Sequence, residues 1–437
     1  MISNVRAPLS AVAALLAGAL ATFVLVSPPE WRGAFSASGR QLESWLDTVP
    51  TAIAVATVLA VLAYAALQRA GSVRPAWISA AVASAVLIGV RLMVSGAGGV
   101  DQLTLLHYAK CVAAGVLLGA TVAAVWTRPL PRLTFVAAVA STFVVAHTAD
   151  TGWEPSTSTL GEPFWWLLIP VVVLTVACAV VDADAPAKAD AALVRNVAAA
   201  VVTLALAHRL LGAWIDGQTT DSTLQQWVVI GVCLVLVVAL TEFWAQRIES
   251  PFLLAATAVA AATALVASQL AQWTRIEPWL AVVVGTTTVV VGLATSMRRP
   301  TPSIGLAVLA LVPLSTAVDP DFGNEGVWLL VRLAVLGLGI GLTLGSTLPD
   351  SGAVASLGLV VPLLALVFTE VVTTTRTVIT YNGAYEPLPG VPLSSGYDTL
   401  LPPAPNRIAG IALLLVVVFC ALAIRGLGAR ERTEPTD

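Results

Sequence analysis

Long apolar runs, each about 17–24 residues and so enough to cross a ~30 Å hydrocarbon layer as a helix, recur from one end of this chain to the other. Only short polar breaks separate them. Fourteen such runs stand out, at 8–27, 50–68, 75–96, 103–126, 131–149, 163–181, 192–214, 225–245, 251–271, 277–297, 302–318, 326–347, 353–374 and 406–424. They predict an all-α polytopic membrane protein with about 14 transmembrane helices. The first run follows Arg6 and passes straight into Ser27-Pro28-Pro29-Glu30. No small-residue cleavage site precedes that loop, so the run is read as a span and not as a signal peptide.

Composition agrees with the pattern. Of the 437 residues 58% are hydrophobic and 11% charged, with mean hydropathy +0.89, whereas a soluble domain carries about 25% charged residues. The net charge of −3 is uninformative in a protein whose charges matter by side. There is no basic stripe for nucleic acid. Cys111, Cys178, Cys233 and Cys420 all fall inside apolar runs without paired spacing, as packing residues do. The three histidines have no metal-ligand spacing, and neither a metal nor a cofactor is expected.

The polar breaks set the orientation. With the N-terminus inside, the inner loops and tails hold thirteen of the 22 basic residues and the outer loops five, which predicts both termini in the cytoplasm and an even number of spans. Nearly all loops are too short to fold. Two outer segments are longer: 28–49, where Trp31, Leu42, Trp45 and Leu46 among charges suggest an interfacial helix, and 377–405, a Pro-, Gly- and Tyr-rich stretch with an Asn382-Gly383 turn signal, read as an outer flap.

Ionisable residues inside the runs are few and costly, roughly 2.5–3.5 kcal/mol each on insertion scales. Two sit in matching contexts. KCVAAGVLLG at 110–119 and RLAVLGLGIG at 332–341 each place a cation before two glycines four residues apart: Lys110/Gly115/Gly119 and Arg332/Gly337/Gly341. The glycines of each pair share a helix face on which another helix can pack closely. A repeated arrangement of this kind suggests two related halves around a central pathway. Lys110, Arg332, Glu370 and His107 are the candidate pathway residues. An Arg332–Glu370 pair would neutralise both charges and make Glu370 a protonatable group; the alternative is a static ion pair. Lys110 either serves an anionic substrate group or stands in for a proton, or else pairs with Asp101 or snorkels outward, and His107 is either a proton relay or bonded to backbone. His147, His208 and Arg209 fall at outer helix ends, where no function is required of them.

At this point the chain resembles the major facilitator superfamily, in its fourteen-helix, drug:proton antiporter-like branch. The likeness rests on LQRAGSVRP at 67–75 and RRPTP at 298–302 as matching loops of two halves, HYAKCVAAGVLLGA as the Gly-rich fourth helix, EPFWWLLIPVVVL at 162–174, ALTEFWAQRIESPFL at 239–253, and RLAVLGLGIGLTLGSTLPDSGAVASLG at 332–358. The resemblance implies two pseudo-symmetric six-helix bundles, 1–181 and 251–437, with two inserted helices in 182–250 between them. Lys110 and Arg332 would then lie on equivalent cavity-lining helices. The chain departs from that branch in having no acid in the first span, no Asp in the second loop and no Gly-Pro-rich fifth helix.

The function this implies is secondary-active transport in the cell membrane, exporting an amphipathic or hydrophobic small molecule or lipid by alternating access, with proton coupling resting on Glu370. Two other readings stand beside it. One is a transport-inactive scaffold with an envelope-complex protein as its partner. The other is a membrane enzyme such as a lipid-linked sugar transferase using Glu43 and Asp47, disfavoured because no paired-acid motif or outer domain accompanies them. No catalytic residue is assigned.

Overall fold

The computed structural model describes residues 3–27, 39–97, 99–147, 160–182, 184–186, 188–217, 223–270, 276–373 and 406–433. All regular structure among them is helical: α1 (Ser3–Val26), α2 (Gly39–Leu67), α3 (Arg74–Val94), α4 (Val100–Val125), α5 (Pro129–Val145), α6 (Trp165–Val181), α7 (Ala191–Asp216), α8 (Thr223–Ile248), α9 (Phe252–Leu270), α10 (Pro278–Arg298), α11 (Pro302–Val318), α12 (Gly326–Ser346), α13 (Gly352–Val360), α14 (Leu366–Thr373) and α15 (Arg407–Thr433). Among the described residues eleven helical spans are long and apolar enough to cross a membrane, α13 and α14 supplying one of them jointly, and α5, α6 and α11 are shorter apolar helices. Taken together, these fourteen apolar segments match the fourteen runs of the sequence one for one. The flap at 377–405 lies outside the described residues.

Prolines start several of these helices. Pro75, Pro129, Pro278 and Pro302 occupy first-turn positions, where their missing N–H costs nothing. Asp190 caps α7, its side chain accepting from the N–H groups of Ala192 and Leu193 at 3.0 and 3.3 Å. Pro362 does the opposite. It interrupts the thirteenth span, which passes through a 3-10 turn at Pro362–Leu364 before resuming as α14. The sequence pattern predicted one continuous helix there. The interfacial helix expected within 28–49 is replaced, from residue 39 on, by the start of α2.

Packing repeats between the two halves. In the first, α1 packs against α4, α5 and α6, α2 against α4, and α3 against α4 and α6. In the second, α9 packs against α11, α12, the α13–α14 span and α15, α10 against α12, and α11 against α12 and α15. Exchanging α1–α6 for α9, α10, α11, α12, α13–α14 and α15 carries every pair of the first list into the second, which adds the α9–α11 contact. These are two pseudo-symmetric six-helix bundles. The inserted α7 packs on α8 and reaches α2, α13 and α14, while α8 packs on α9, α14 and α15.

The glycine seams hold the equivalent pairs together. A Cβ on Gly115 would lie 2.2 Å from the Ala56 carbonyl oxygen, and one on Gly119 would lie 1.9 Å from that of Ala60, so α4 rides directly on the α2 backbone. On α12 the matching Gly337 and Gly341 would meet Thr288 Oγ1 at 2.2 Å and the Val289 carbonyl oxygen at 2.3 Å, on α10. Close approach of this kind is how helices associate where lipid removes the hydrophobic drive between them.

Candidate functional site

An even number of spans puts both chain ends on one side, called here the terminal face; the other side is the far face. Lys110 and Arg332 are buried, 1% and 3% exposed, and neither is among the residues that line the cavity between the bundles. Lys110 Nζ donates to the carbonyl oxygen of Leu160, in the lead-in to α6. Arg332 donates through one terminal nitrogen to the Phe322 carbonyl at 3.0 Å and to Asn324 Oδ1 at 2.9 Å, and through the other to Thr316 Oγ1 at 2.7 Å. Arg91, near the end of α3, likewise donates to the carbonyls of Glu162 and Pro163 and stacks over Trp165, 5.1 Å from the ring centroid. These cations fasten far-face turns to the ends of their own bundles.

The helix geometry explains the direction. At about 100° per residue, Gly115 and Gly119 lie about 140° and 180° around α4 from Lys110, and the same offsets separate Gly337 and Gly341 from Arg332. A glycine face spent on α2 or α10 therefore points the cation out the other side. His107, 2% exposed, sits one turn from Lys110 with Nε2 3.6 Å from Cys111 Sγ, inside the same helix packing. Glu370 is on α14; its side chain lies outside the described residues, and the four described acceptors around Arg332 are all on α11 and the turn after it.

A different set of residues surrounds the space between the bundles. A cavity of about 360 Å³ opens in the far-face half, walled by the C-terminal ends of α1 and α5, the first part of the spanning portion of α2, the second half of α9, and the broken span at Pro362–Leu366. The inserted α7 closes one side with His208 and Arg209. Arg209 Nε donates to Thr51 Oγ1 on α2 at 2.8 Å, and His208 Nδ1 lies 2.8 Å from the Leu204 carbonyl. Gly212 permits this approach: a Cβ there would lie 2.6 Å from Leu366 Cδ2. His147, from the end of α5, completes the polar lining with Thr263, Ser268 and Thr369. A broken helix lining a cavity at membrane depth is tolerated because its freed backbone groups face protein or water instead of lipid.

Toward the terminal face the space narrows to a void of about 20 Å³ between Phe143, Val259, Leu344 and Pro362, and then closes. Trp126 Nε1 donates to the Pro349 carbonyl at 3.2 Å, Arg132 meets Asp350 at 3.3 Å, and Gly352 abuts the Tyr64 ring, where a Cβ would come within 2.7 Å. These contacts join the segment after α4 and the first turn of α5 to the loop after α12, and α2 to the start of α13, and so tie the two bundles together at matching places. Beside them Arg128 binds both Asp182 and Asp184 and donates to Ser10 Oγ at 3.1 Å, while Trp77 Nε1 donates to Asp182 at 3.3 Å. Burial opposes the charge on Arg128, but the two carboxylates outweigh it and raise its pKa above the ordinary arginine value. Asp182 is 2% exposed, so Asp182→Ala strands the Trp77 indole N–H and removes the buried one of the two carboxylates that hold Arg128; it is expected to cost about 2–3 kcal/mol. Asp184→Ala, at a half-exposed carboxylate, is expected to cost under about 1 kcal/mol. Thermal unfolding in detergent separates the two.

A second, almost wholly apolar cleft of about 450 Å³ lies at the side of the junction, between α1, α5, the start of α6 and α10. Trp166 and Trp279 stand at its rim, 63% and 54% exposed, with Trp166 stacked on Phe164 at 5.9 Å. Sequence reasoning set His147, His208 and Arg209 aside because nothing local marks their convergence. Among the described residues no group of His, Cys, Asp and Glu is placed to hold a metal ion.

Two six-helix bundles of matching packing, joined at the terminal face and enclosing a cavity in the far-face half among the described residues, with two helices between them, define a multi-pass membrane protein of the major facilitator fold. The chain is similar along its length to the crystal structure of an auto-inhibited peptide transporter of the POT family, with TM-score 0.50 and 14% identity over 99% of this chain and 98% of that one. The inward-open xylose transporter XylE from E. coli aligns with TM-score 0.45 and 11% identity over 96% of each chain. No protein-family model and no curated protein matches the sequence.

Proposed function

We propose that this protein is a secondary-active transporter that moves an amphipathic or hydrophobic small molecule or lipid by alternating access. The observation that carries the reading is the cavity between the bundles, about 360 Å³ on the far-face side and shut at the terminal face by contacts between the two bundles. A rocking of 1–181 against 251–437, with 182–250 inserted between them, would exchange which face is shut. The apolar walls and the lateral cleft suit a cargo with a hydrocarbon part. With both termini in the cytoplasm, by the basic-residue bias of the loops, the present state faces outward and the direction assigned is export across the cell membrane. Glu370 remains the proposed proton-coupling acid, which would align the chain with fourteen-helix antiporters.

The test is flux in proteoliposomes across a panel of labelled amphiphiles. All four native cysteines are buried, so Arg132→Cys with Asp350→Cys can be bridged by a bifunctional thiol reagent without background labelling. Bridging is expected to stop flux and cleavage of the bridge to restore it. An uncoupler and Glu370→Gln are each expected to abolish accumulation against a gradient. Undiminished flux with the terminal face bridged would rule out alternating access.

A further inference from the structure

We infer that the far-face cavity recognises a neutral, hydroxyl-bearing head group on an amphiphile, with His208 of the inserted helix α7 and the side-chain oxygens of Thr263 and Thr369 as hydrogen-bond acceptors. The apolar remainder of the lining takes the chain. The inference rests on the transporter reading only in taking this cavity as the cargo site, and it deepens that reading by naming the cargo's head.

What the wall can offer a cargo is what its internal hydrogen bonds leave over. His208, 3% exposed, lines the cavity and holds Nδ1 2.8 Å from the carbonyl oxygen of Leu204 on its own helix. A carbonyl can only accept, so in the neutral ring the proton sits on Nδ1 and Nε2 carries a lone pair. Nε2 has no hydrogen-bond partner among the described residues. A polar atom left unpaired at this depth is costly, and a ligand that donates to it removes the cost.

The hydroxyls follow the same rule. Each has one hydrogen and two lone pairs. Thr263 of α9 spends its hydrogen on the Val259 carbonyl at 2.8 Å, Ser268 on that of Leu265 at 3.2 Å, and Thr369 of α14 on that of Ala365 at 3.4 Å. All three line the cavity, and what they keep for a ligand is acceptor capacity. Ser268 already takes the Gln269 amide at 3.5 Å, which leaves the two threonines with more to give.

Beside these acceptors stand the guanidinium of Arg209, its Nε bonded to Thr51 Oγ1 at 2.8 Å, and the ring of His147. A wall that mixes lone pairs from three helices with N–H groups is matched by a hydroxyl, which donates and accepts at one atom. A carboxylate only accepts, and would turn its lone pairs toward those of His208 and the threonines. A trimethylammonium or ester head has no hydrogen to donate. Heads that leave the polar groups of such a site unpaired are the ones a hydrogen-bonding pocket rejects most strongly.

The experiment measures binding of radiolabelled 1-monododecanoylglycerol to the purified full-length protein in phosphatidylcholine nanodiscs, a lipid without hydrogen-bond donors. Saturable binding above that of empty nanodiscs is expected. Methyl dodecanoate, dodecanoate and dodecyltrimethylammonium should each compete at least about tenfold less well than the unlabelled ligand. Glycerol, which lacks the chain, should compete about a hundredfold less well or worse. His208→Leu is expected to weaken binding about tenfold or more, and Thr263→Val several-fold. Valine keeps the shape of a threonine whose hydroxyl is bonded within its own helix, so that variant folds if the first does not. Nitrogen NMR of protein labelled in its three histidines gives a readout that packing alone would not move. His208, assigned by its loss in His208→Leu or by elimination, should show a proton on Nδ1 and none on Nε2, and the Nε2 signal should shift upfield on binding. No saturable binding, equal competition by methyl dodecanoate or dodecanoate, full affinity in both variants, or a proton on Nε2 in the unliganded protein would each overturn the inference. Saturable binding of the glyceride with no flux of any amphiphile in vesicles would instead sink the transporter reading and leave this one standing.

Discussion

Gly119→Ala is expected to lower the thermal midpoint of the detergent-solubilised protein substantially, and Gly341→Ala to do the same, while Gly89→Ala leaves it unchanged or raises it. All three positions are helical glycines, so helix propensity favours alanine at each by up to about 1 kcal/mol. What separates them is the neighbour. The new methyl at Gly119 would lie 1.9 Å from the Ala60 carbonyl oxygen, and at Gly341 2.3 Å from that of Val289, whereas at Gly89 nothing lies within 4 Å. A backbone carbonyl cannot rotate aside as a side chain can, so α4 must lift off α2, or α12 off α10. Over-packing of this sort costs roughly 1–3 kcal/mol, and backbone against backbone belongs at the upper end. Subtracting the propensity gain leaves a net loss of about 2 kcal/mol. Similar losses at the two seam positions would also be a thermodynamic sign that the bundles are equivalent; a large loss at one seam alone would argue that only one half depends on close approach.

The spans were legible because hydrocarbon thickness imposes a length that apolar runs must match. The run at 326–347 is α12 (Gly326–Ser346), and that at 103–126 is α4 (Val100–Val125) within three residues. Where the helix leaves the bilayer the signal fails. Hydropathy begins the second span at 50, but α2 starts at Gly39, since Gln41, Glu43 and Asp47 are poor membrane residues and acceptable helical ones. In the thirteenth span Pro362 was in plain view, yet an apolar run does not reveal whether a proline kinks a helix or stops it. The cavity was the least accessible feature. Its basic residues come from α5 and α7, some sixty positions apart, and they meet only because Gly212 lets α7 approach Leu366 of α14. No local pattern encodes that contact. The Lys110 and Arg332 motifs were partly legible: a cation five and nine residues before two glycines is on the opposite side of the helix from them, so the face that packs on α2 or α10 is not the face that carries the charge.

That geometry leads to the other large expected effect. Arg332→Leu is expected to cost about 3–5 kcal/mol, because it leaves a set of buried acceptors with no donor. The turn between α11 and α12 is built on this side chain. Phe322 and Gly323 offer it carbonyls, Asn324 its side-chain oxygen and Thr316 its hydroxyl, and Gly323, at φ +71°, lies so close that a Cβ would come within 2.3 Å of Arg332 Cδ. Arg332→Lys retains the charge but loses the fork that reaches the Phe322 carbonyl and Thr316 at once, so it should fall between wild type and the leucine variant in thermal unfolding. The decisive comparison sets stability beside transport. If Arg332 is a fastener, flux per folded molecule in Arg332→Lys should stay within about twofold of wild type, a rate change equivalent to roughly 0.4 kcal/mol, despite the lower midpoint. If it is part of the passage, the same variant should hold its midpoint and lose flux. The second outcome would return Arg332 to the pathway and require the bundles to turn it inward in a state other than this one.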